Sequence, residues 1–237
     1  MSENTLTVYQ AFDGQEIETI DMQSWSDADA MLQRATELYA DRENWLPAYK
    51  RADILKHLGI LMTEQQDALA LLISREGGKP ITDAKVEVTR AIHGVELARS
   101  HIADLVGEQI PMDLSAAGLG RLAFTVKEPI GVVLALSAFN HPLNLIIHQV
   151  VPAIAAGNPV IVKPAEDTPI SCYSFIEILY EAGLPEAWCQ SLVVEDLDVA
   201  TALVTDSRVS FFSFIGSSRV GWMLRSKLAP GTRCALE

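Results

Sequence analysis

Residues 129–169 read PIGVVLALSAFNHPLNLIIHQVVPAIAAGNPVIVKPAEDTP, and they set the architecture. Val132 to Leu136 is a short apolar run with β-branched residues, opened by Gly131 and closed by Ser137. A helical pattern from about Leu143 to Ala156 comes next, stopped by Gly157-Asn158-Pro159, and then Val160 to Val162 forms a second run. The alternation continues downstream. Ser191 to Val194 and Ser210 to Phe214 read as strands, and Pro169 to Ala182, Leu197 to Thr205 and Ser217 to Leu228 read as helices. Strands that are apolar along their whole length, separated by single helices, predict an α/β fold: a parallel sheet with helices on both faces. Ligands of such sheets bind at the carboxyl ends of the strands.

Upstream, the pattern from about Asp27 to Val106 is helical. Ser26 or Asp27 is placed to cap a first helix with Ala30, Met31, Ala35 and Leu38 on one side. Pro47 is placed to open a second, striped by Ile54, Leu55, Leu58 and Leu61. Ala68 to Ile73 continue the pattern until Glu76-Gly77-Gly78-Lys79-Pro80 stops it, and a long amphipathic helix then carries Val88, Ile92, Val95, Ala98, Ile102 and Leu105. Between Gly107 and Glu128 the chain turns extended. Ile110-Pro111 and Arg121 to Val126 read as two strands joined through Gly118-Leu119-Gly120. A two-stranded ribbon is not stable alone in water, so this segment is expected to pair with another sheet or subunit. The expected division is a helical region over 1–106, a β-ribbon for oligomerisation or bridging over 107–128, and the parallel-sheet core over 129–237.

The formal net charge is −13. A surface of that sign repels phosphate backbones, which sets nucleic acid aside as a partner. Apolar stretches are interrupted well short of the ~20 residues that cross a bilayer, so no membrane partner is expected. The start, MSENTLTVYQAFDGQE, lacks a basic segment followed by an apolar run. Cys172, Cys189 and Cys234 are widely spaced and odd in number, with neither metal-ligand nor disulfide spacing. A cytoplasmic protein without a metal site is the expectation.

Three features after strands carry possible chemistry. Gly216-Ser217-Ser218-Arg219-Val220-Gly221 lacks the Lys-Ser/Thr pair of a phosphate-binding P-loop, yet its glycine allows close approach and the next helix offers free N–H groups. The alternative is a plain N-cap. Lys163-Pro164-Ala165-Glu166 could donate to and accept from a ribose, or be a solvated surface pair. Asn140, before His141-Pro142, could donate to a developing oxyanion or serve the turn.

In order and spacing, the 129–169 run, then EAGLP, FFSFIGSSRVG and CALE, resembles the aldehyde dehydrogenase superfamily. ISREGGKPITDAKVEV looks like that family's Glu-x-Gly-Lys-Pro segment and its following Glu-Val. The resemblance runs from about Asp27 to Glu237 and implies a Rossmann-like cofactor core. It implies that Asn140 is the oxyanion-hole asparagine and that Lys163 and Glu166, with Pro164 and Ala165 between them, hold the adenosine ribose. Gly216 and Ser217 become the pyrophosphate turn, and Glu237 the general base that activates water. A carboxylate at 166 disfavours a 2′-phosphate, which favours NAD, with NADP as the alternative because a single carboxylate can rotate away. His141, Leu145 and His148 fall where relatives line a substrate tunnel. The two histidines, seven apart on a helical stretch, would share a face and favour a polar or anionic aldehyde; capping or hydrogen bonding is the other reading. Phe139 and Ile215 replace the usual Trp and Thr.

None of the three cysteines lies in the nucleophile's motif, so the catalytic-cysteine domain is expected to be absent from this chain. All three read as buried structural thiols. The terminal Leu-Glu is also what a cloning site leaves, although Arg233-Cys234-Ala235-Leu236 fits the family's strand. The implied function is oxidation of a small aldehyde to an acid, the full-length enzyme being a homodimer or homotetramer. Two rivals stay open: a CoA-acylating or phosphate-ester reductase, and a non-catalytic dinucleotide-binding or assembly module.

Overall fold

The structure, a computed structural model, describes residues 4–237. It opens as an antiparallel hairpin of β1 (Thr5–Tyr9) and β2 (Glu16–Asp21), which the helical pattern of the first 106 residues does not foretell. Its sign is Asp13-Gly14, a turn pair between two alternating runs, with Gly14 at φ +71. Residues 1–3, the beginning of the segment read as lacking a leader, lie outside the described residues.

Helix α1 (Trp25–Ala40) starts from Ser24 rather than Ser26 or Asp27. Ser24 Oγ accepts from Asp27 N while the Asp27 carboxylate accepts from Ser24 N, a reciprocal cap that satisfies two otherwise free donors. Pro47 precedes α2 (Ala48–Glu64), and α3 (Gln66–Gly77) ends on Gly78 at φ +67, where a side chain would be strained. The long helix α4 (Ile81–His101) comes after it. The ribbon is shorter than its pattern: β3 (Gln109–Ile110) pairs antiparallel with β4 (Ala123–Phe124), and Ala116–Gly118 forms a 3-10 turn between them. Among the described residues it joins neither other sheet, and it leaves Leu114, Leu119, Leu122 and Phe124 exposed.

From residue 129 the alternation folds as read: β5 (Val132–Leu136), α5 (Asn144–Ala155), β6 (Val160–Lys163), α6 (Ile170–Glu181), β7 (Cys189–Ser191), α7 (Leu197–Thr205), β8 (Val209–Phe214), α8 (Ser218–Arg225) and β9 (Arg233–Leu236). The strands form one parallel sheet in the order β7-β6-β5-β8-β9. The chain runs outward from β5 to β7, then returns past β5 to lay down β8 and β9. The loops after β5 and β8 therefore part at a topological switch point. Strand β7 lies earlier than Ser191 to Val194 because the backbone beyond it pairs elsewhere. Gln23 N donates to Val193 O (2.7 Å), and Val193 N donates to Gln23 Oε1 (2.9 Å).

Alternation along the strands splits the core into two layers. Val133, Ala135, Val160 and Val162 pack with α2 to α6, whereas Val132, Leu134, Ile161 and Phe212 pack with α1 and α7. Phe175 and Phe212 are fully buried, one in each layer, each contributing roughly 1.5–3 kcal/mol. The helices before residue 106 thus share both cores with the sheet. Among the described residues no helix is long and apolar enough to cross a membrane.

Candidate active site

The strand register places Leu136, Lys163, Phe214 and Leu236 level with one another. The segments just beyond these four residues leave from a single edge: the Asn140 loop, Lys163 to Glu166, Gly216-Ser217 and Glu237. Hydrogen bonds tie these exits together. Ser137 N donates to Lys163 O (3.0 Å), Ile215 N to Leu136 O (3.0 Å), Gly216 N to Glu237 O (3.0 Å) and Glu237 N to Phe214 O (2.9 Å). Gly216, Ser217 and Glu237 line one cleft of about 140 Å3, with Trp222 beside them. Glycine is required at 216 for a packing reason, since a Cβ there would lie 2.7 Å from Phe214 Cζ. Lys163 Nζ lies 3.2 Å from Glu166 Oε1; Pro164 is buried, Ala165 half-buried and Glu166 exposed. Two larger cavities, of about 600 and 640 Å3, open around Tyr173 and Glu177 and contain none of these residues.

Each helix that succeeds a strand of this sheet brings free N–H groups and a partial positive charge to that edge. Three of the four are already occupied by protein carboxylates. At α5, Glu87 Oε1 accepts from Leu143 N and Asn144 N, both at 3.0 Å. At α6, Glu76 accepts from Ile170 N (2.5 Å), Ser171 N (3.0 Å) and Ser171 Oγ (2.6 Å). At α7, Asp196 Oδ1 accepts from Asp198 N (2.8 Å) and Val199 N (2.9 Å). Only α8 begins on a neutral group. Ser217 Oγ accepts a long bond from Val220 N (3.4 Å), and among the described residues no side chain bonds the N–H of Ser218 or Arg219.

Glu76 and Glu87 are buried carboxylates sent across from α3 and α4, and the sequence marks neither beyond its place in a motif. Burial pushes the Glu76 carboxyl up from the ordinary glutamate value, against the pull of the Ser171 hydroxyl and the two N–H donors. Glu87 also pairs with Lys79 Nζ (2.5 Å), and the same ammonium donates to Asn140 O (2.7 Å).

The tunnel residues separate. Helix α5 begins at Asn144, so His141 precedes it and shares no helical face with His148. His141 Nδ1 sits 3.2 Å from Lys79 Nζ and 3.3 Å from Glu87 Oε2. Leu145 is buried, and His148 is exposed on a cavity of about 430 Å3 that Arg233 and Phe211 also line. Cys172 and Cys189 are buried and burial pushes both thiols up, which leaves them inert. Cys234 departs from the buried reading: it is half-buried, in the edge strand β9. Among the described residues no group of three His, Cys, Asp or Glu side chains could hold a metal ion.

A sequence profile described as "Aldehyde dehydrogenase family" matches residues 1–237. The chain belongs to the aldehyde dehydrogenase family. It is 37% identical over 185 residues to a 3-sulfolactaldehyde dehydrogenase of Priestia aryabhattai, covering 78% of this chain and 39% of that one. It is 35% identical over 205 residues to a lactaldehyde dehydrogenase of Methanocaldococcus jannaschii, covering 85% and 43% respectively. Among solved structures it superposes on aldehyde dehydrogenase 21 from Physcomitrella patens, in complex with the reaction product succinate. The TM-score is 0.93 at 30% identity, covering 100% of this chain and 49% of that one. It also superposes on glyceraldehyde-3-phosphate dehydrogenase GapN of Methanocaldococcus jannaschii complexed with NADP, at TM-score 0.89 and 32% identity, covering 98% and 50%. The chain thus spans about half, or less, of the length of these aldehyde dehydrogenase relatives.

Proposed function

We propose that this chain is the cofactor-binding portion of an NAD-dependent dehydrogenase that oxidises a polar or anionic aldehyde to its acid. The observation that carries the proposal is the single open helix start at the carboxyl edge. Carboxylates fill the starts of α5, α6 and α7, so of the four helix starts at this edge only that of α8 is left open to an anion. Arg219 strengthens that reading, because a cation in the first turn opposes the helix dipole and is favourable only beside a bound anion.

A dinucleotide fits these residues. Gly216 and Ser217 with the first turn of α8 would hold its pyrophosphate, and the Lys163–Glu166 pair its adenosine ribose. Bound there, it would supply the oxidant by accepting the substrate hydride. The Glu166 carboxylate accepts from ribose hydroxyls and repels a 2′-phosphate, which favours NAD. The Asn140 amide would donate to the oxygen of the tetrahedral adduct, and Glu237 would take a proton from the water that releases the acid. The nucleophilic cysteine would come from a part of the parent polypeptide beyond this chain. The half-length match to relatives supports that, as do two inert thiols and a third set in a strand. The parent is proposed as a cytoplasmic homodimer or homotetramer, with the apolar ribbon of residues 107–128 as its bridge.

Two relatives support an anionic substrate by their names, a 3-sulfolactaldehyde dehydrogenase and a sulfoacetaldehyde dehydrogenase, and the lactaldehyde dehydrogenase supports a polar one. Because His141 is engaged by Lys79 and Glu87, His148, which lines one cavity with Arg233, is the proposed recognition residue.

The test is titration of NADH and NADPH into the protein, followed by an aldehyde panel with the complete polypeptide. NADH is expected to bind at least about tenfold more tightly, and Glu166→Ser to narrow the gap. Absence of dinucleotide binding would overturn the proposal. Binding without aldehyde oxidation by the complete polypeptide would favour the non-catalytic module, and acyl-CoA as product the reductase.

A further inference from the structure

The Asn140 backbone is held by a largely buried ion pair whose members come from the α3–α4 link and from α4. We infer that Lys79 and Glu87 are positioning residues for Asn140, setting the amide where the developing oxyanion needs it. The inference rests on the oxyanion role proposed for Asn140 above.

The geometry is specific. Lys79 stands in the Gly78-Lys79-Pro80 link between α3 and α4, where the left-handed Gly78 turns the chain. Its ammonium donates both to Glu87 Oε2 (2.5 Å) and to the Asn140 carbonyl (2.7 Å). The other oxygen of Glu87 accepts the N–H groups of Leu143 and Asn144, both at 3.0 Å. One carboxylate and one ammonium therefore grip the loop at the backbone carbonyl of the candidate donor residue and at the helix start three residues on. The upstream side is held too, since Gln149 Nε2 donates to Leu136 O at 3.0 Å.

Chemistry explains the use of charge here. The Glu87 side chain is 1% exposed and that of Lys79 15%. A buried ion pair adds little net stability over apolar residues of equal volume, because desolvation cancels most of the attraction. What such a pair does supply is direction. Both groups must be satisfied at fixed angles, and among the described residues the one carbonyl given to the ammonium is that of Asn140. An oxyanion donor benefits from that rigidity, since it stabilises the transition state only if already aligned. His141, 3.2 Å from Lys79 Nζ and 3.3 Å from Glu87 Oε2, closes the cluster from the loop side.

The test is a double-mutant cycle in the complete enzyme. The paired variant Lys79→Met with Glu87→Gln removes both charges, yet keeps a carbonyl oxygen for the two helix N–H groups. Asn140→Ala alone is expected to lower kcat roughly a hundredfold. The paired variant is expected to lower kcat about tenfold with KM for the aldehyde and NADH affinity unchanged. Combined with Asn140→Ala, it should lower kcat no further. Additive losses, or a paired variant with unaltered kcat, would overturn the positioning role while leaving the function intact. An Asn140→Ala enzyme with unaltered kcat would overturn the oxyanion assignment itself. Should the paired variant fail to fold, Glu87→Gln alone gives the same reading, because it weakens the hold on the ammonium without deleting an acceptor.

Discussion

Helices α6 and α8 both rise from the carboxyl edge of the same sheet, and they are finished in opposite ways. The first turn of α6 is sealed inside the molecule by Glu76, which satisfies two N–H groups and a hydroxyl. The first turn of α8 is exposed, capped by a neutral Ser217 through a bond of 3.4 Å, and carries Arg219. The same backbone dipole serves stability in one place and is left available in the other. A helix start becomes a ligand site when the protein declines to fill it, and a map of the filled starts locates the empty one.

The contrast can be broken most severely at Glu76. Glu76→Ala strands three buried donors at α6, and chemical denaturation should show a loss of roughly 3 kcal/mol. A loss near that of an ordinary cap would mean that α6 is no more committed than α8. Next in size is the reverse experiment. Ser217→Asp gives α8 the kind of carboxylate that α7 has, and calorimetry should show NADH binding weakened about tenfold or more with the melting temperature unchanged or higher. Unweakened binding would remove α8 from the site. Smallest is Asp196→Ala at α7, which should cost about 1 kcal/mol by denaturation and leave NADH affinity untouched. Any change in affinity there would show that α7, too, serves the ligand.

The half of the molecule from residue 129 is legible in the sequence because its central strands β5 and β6 are apolar on both faces and its helices short. Val132 to Leu136 and Leu197 to Thr205 can be marked residue for residue. The hairpin β1–β2 is not, because its residues are mostly half-buried or exposed and only Asp13-Gly14 punctuates them. Strand β7 is displaced from its apolar run because Leu192 to Val194 is as apolar as a paired strand, though its backbone turns to Gln23. The edge that gathers Asn140, Lys163, Glu166, Gly216 and Glu237 is implied by strand order and spacing. Glu76 and Glu87 are invisible as caps. A glutamate in a helical segment looks the same whether it is solvated or buried, and the groups that identify these two lie 94 and 56 residues further along. The two histidines look like a pair in the sequence, but seven residues means a shared face only where both belong to the helix.

That long reach has a consequence for how the chain is made. During synthesis from the amino end, α3 and α4 exist well before the segments whose first turns they will close. Each carries a carboxylate whose N–H donors come only with a later helix, although Glu87 already has Lys79 beside it. The starts of α5 and α6 are completed only when the nascent chain folds back on what was made first.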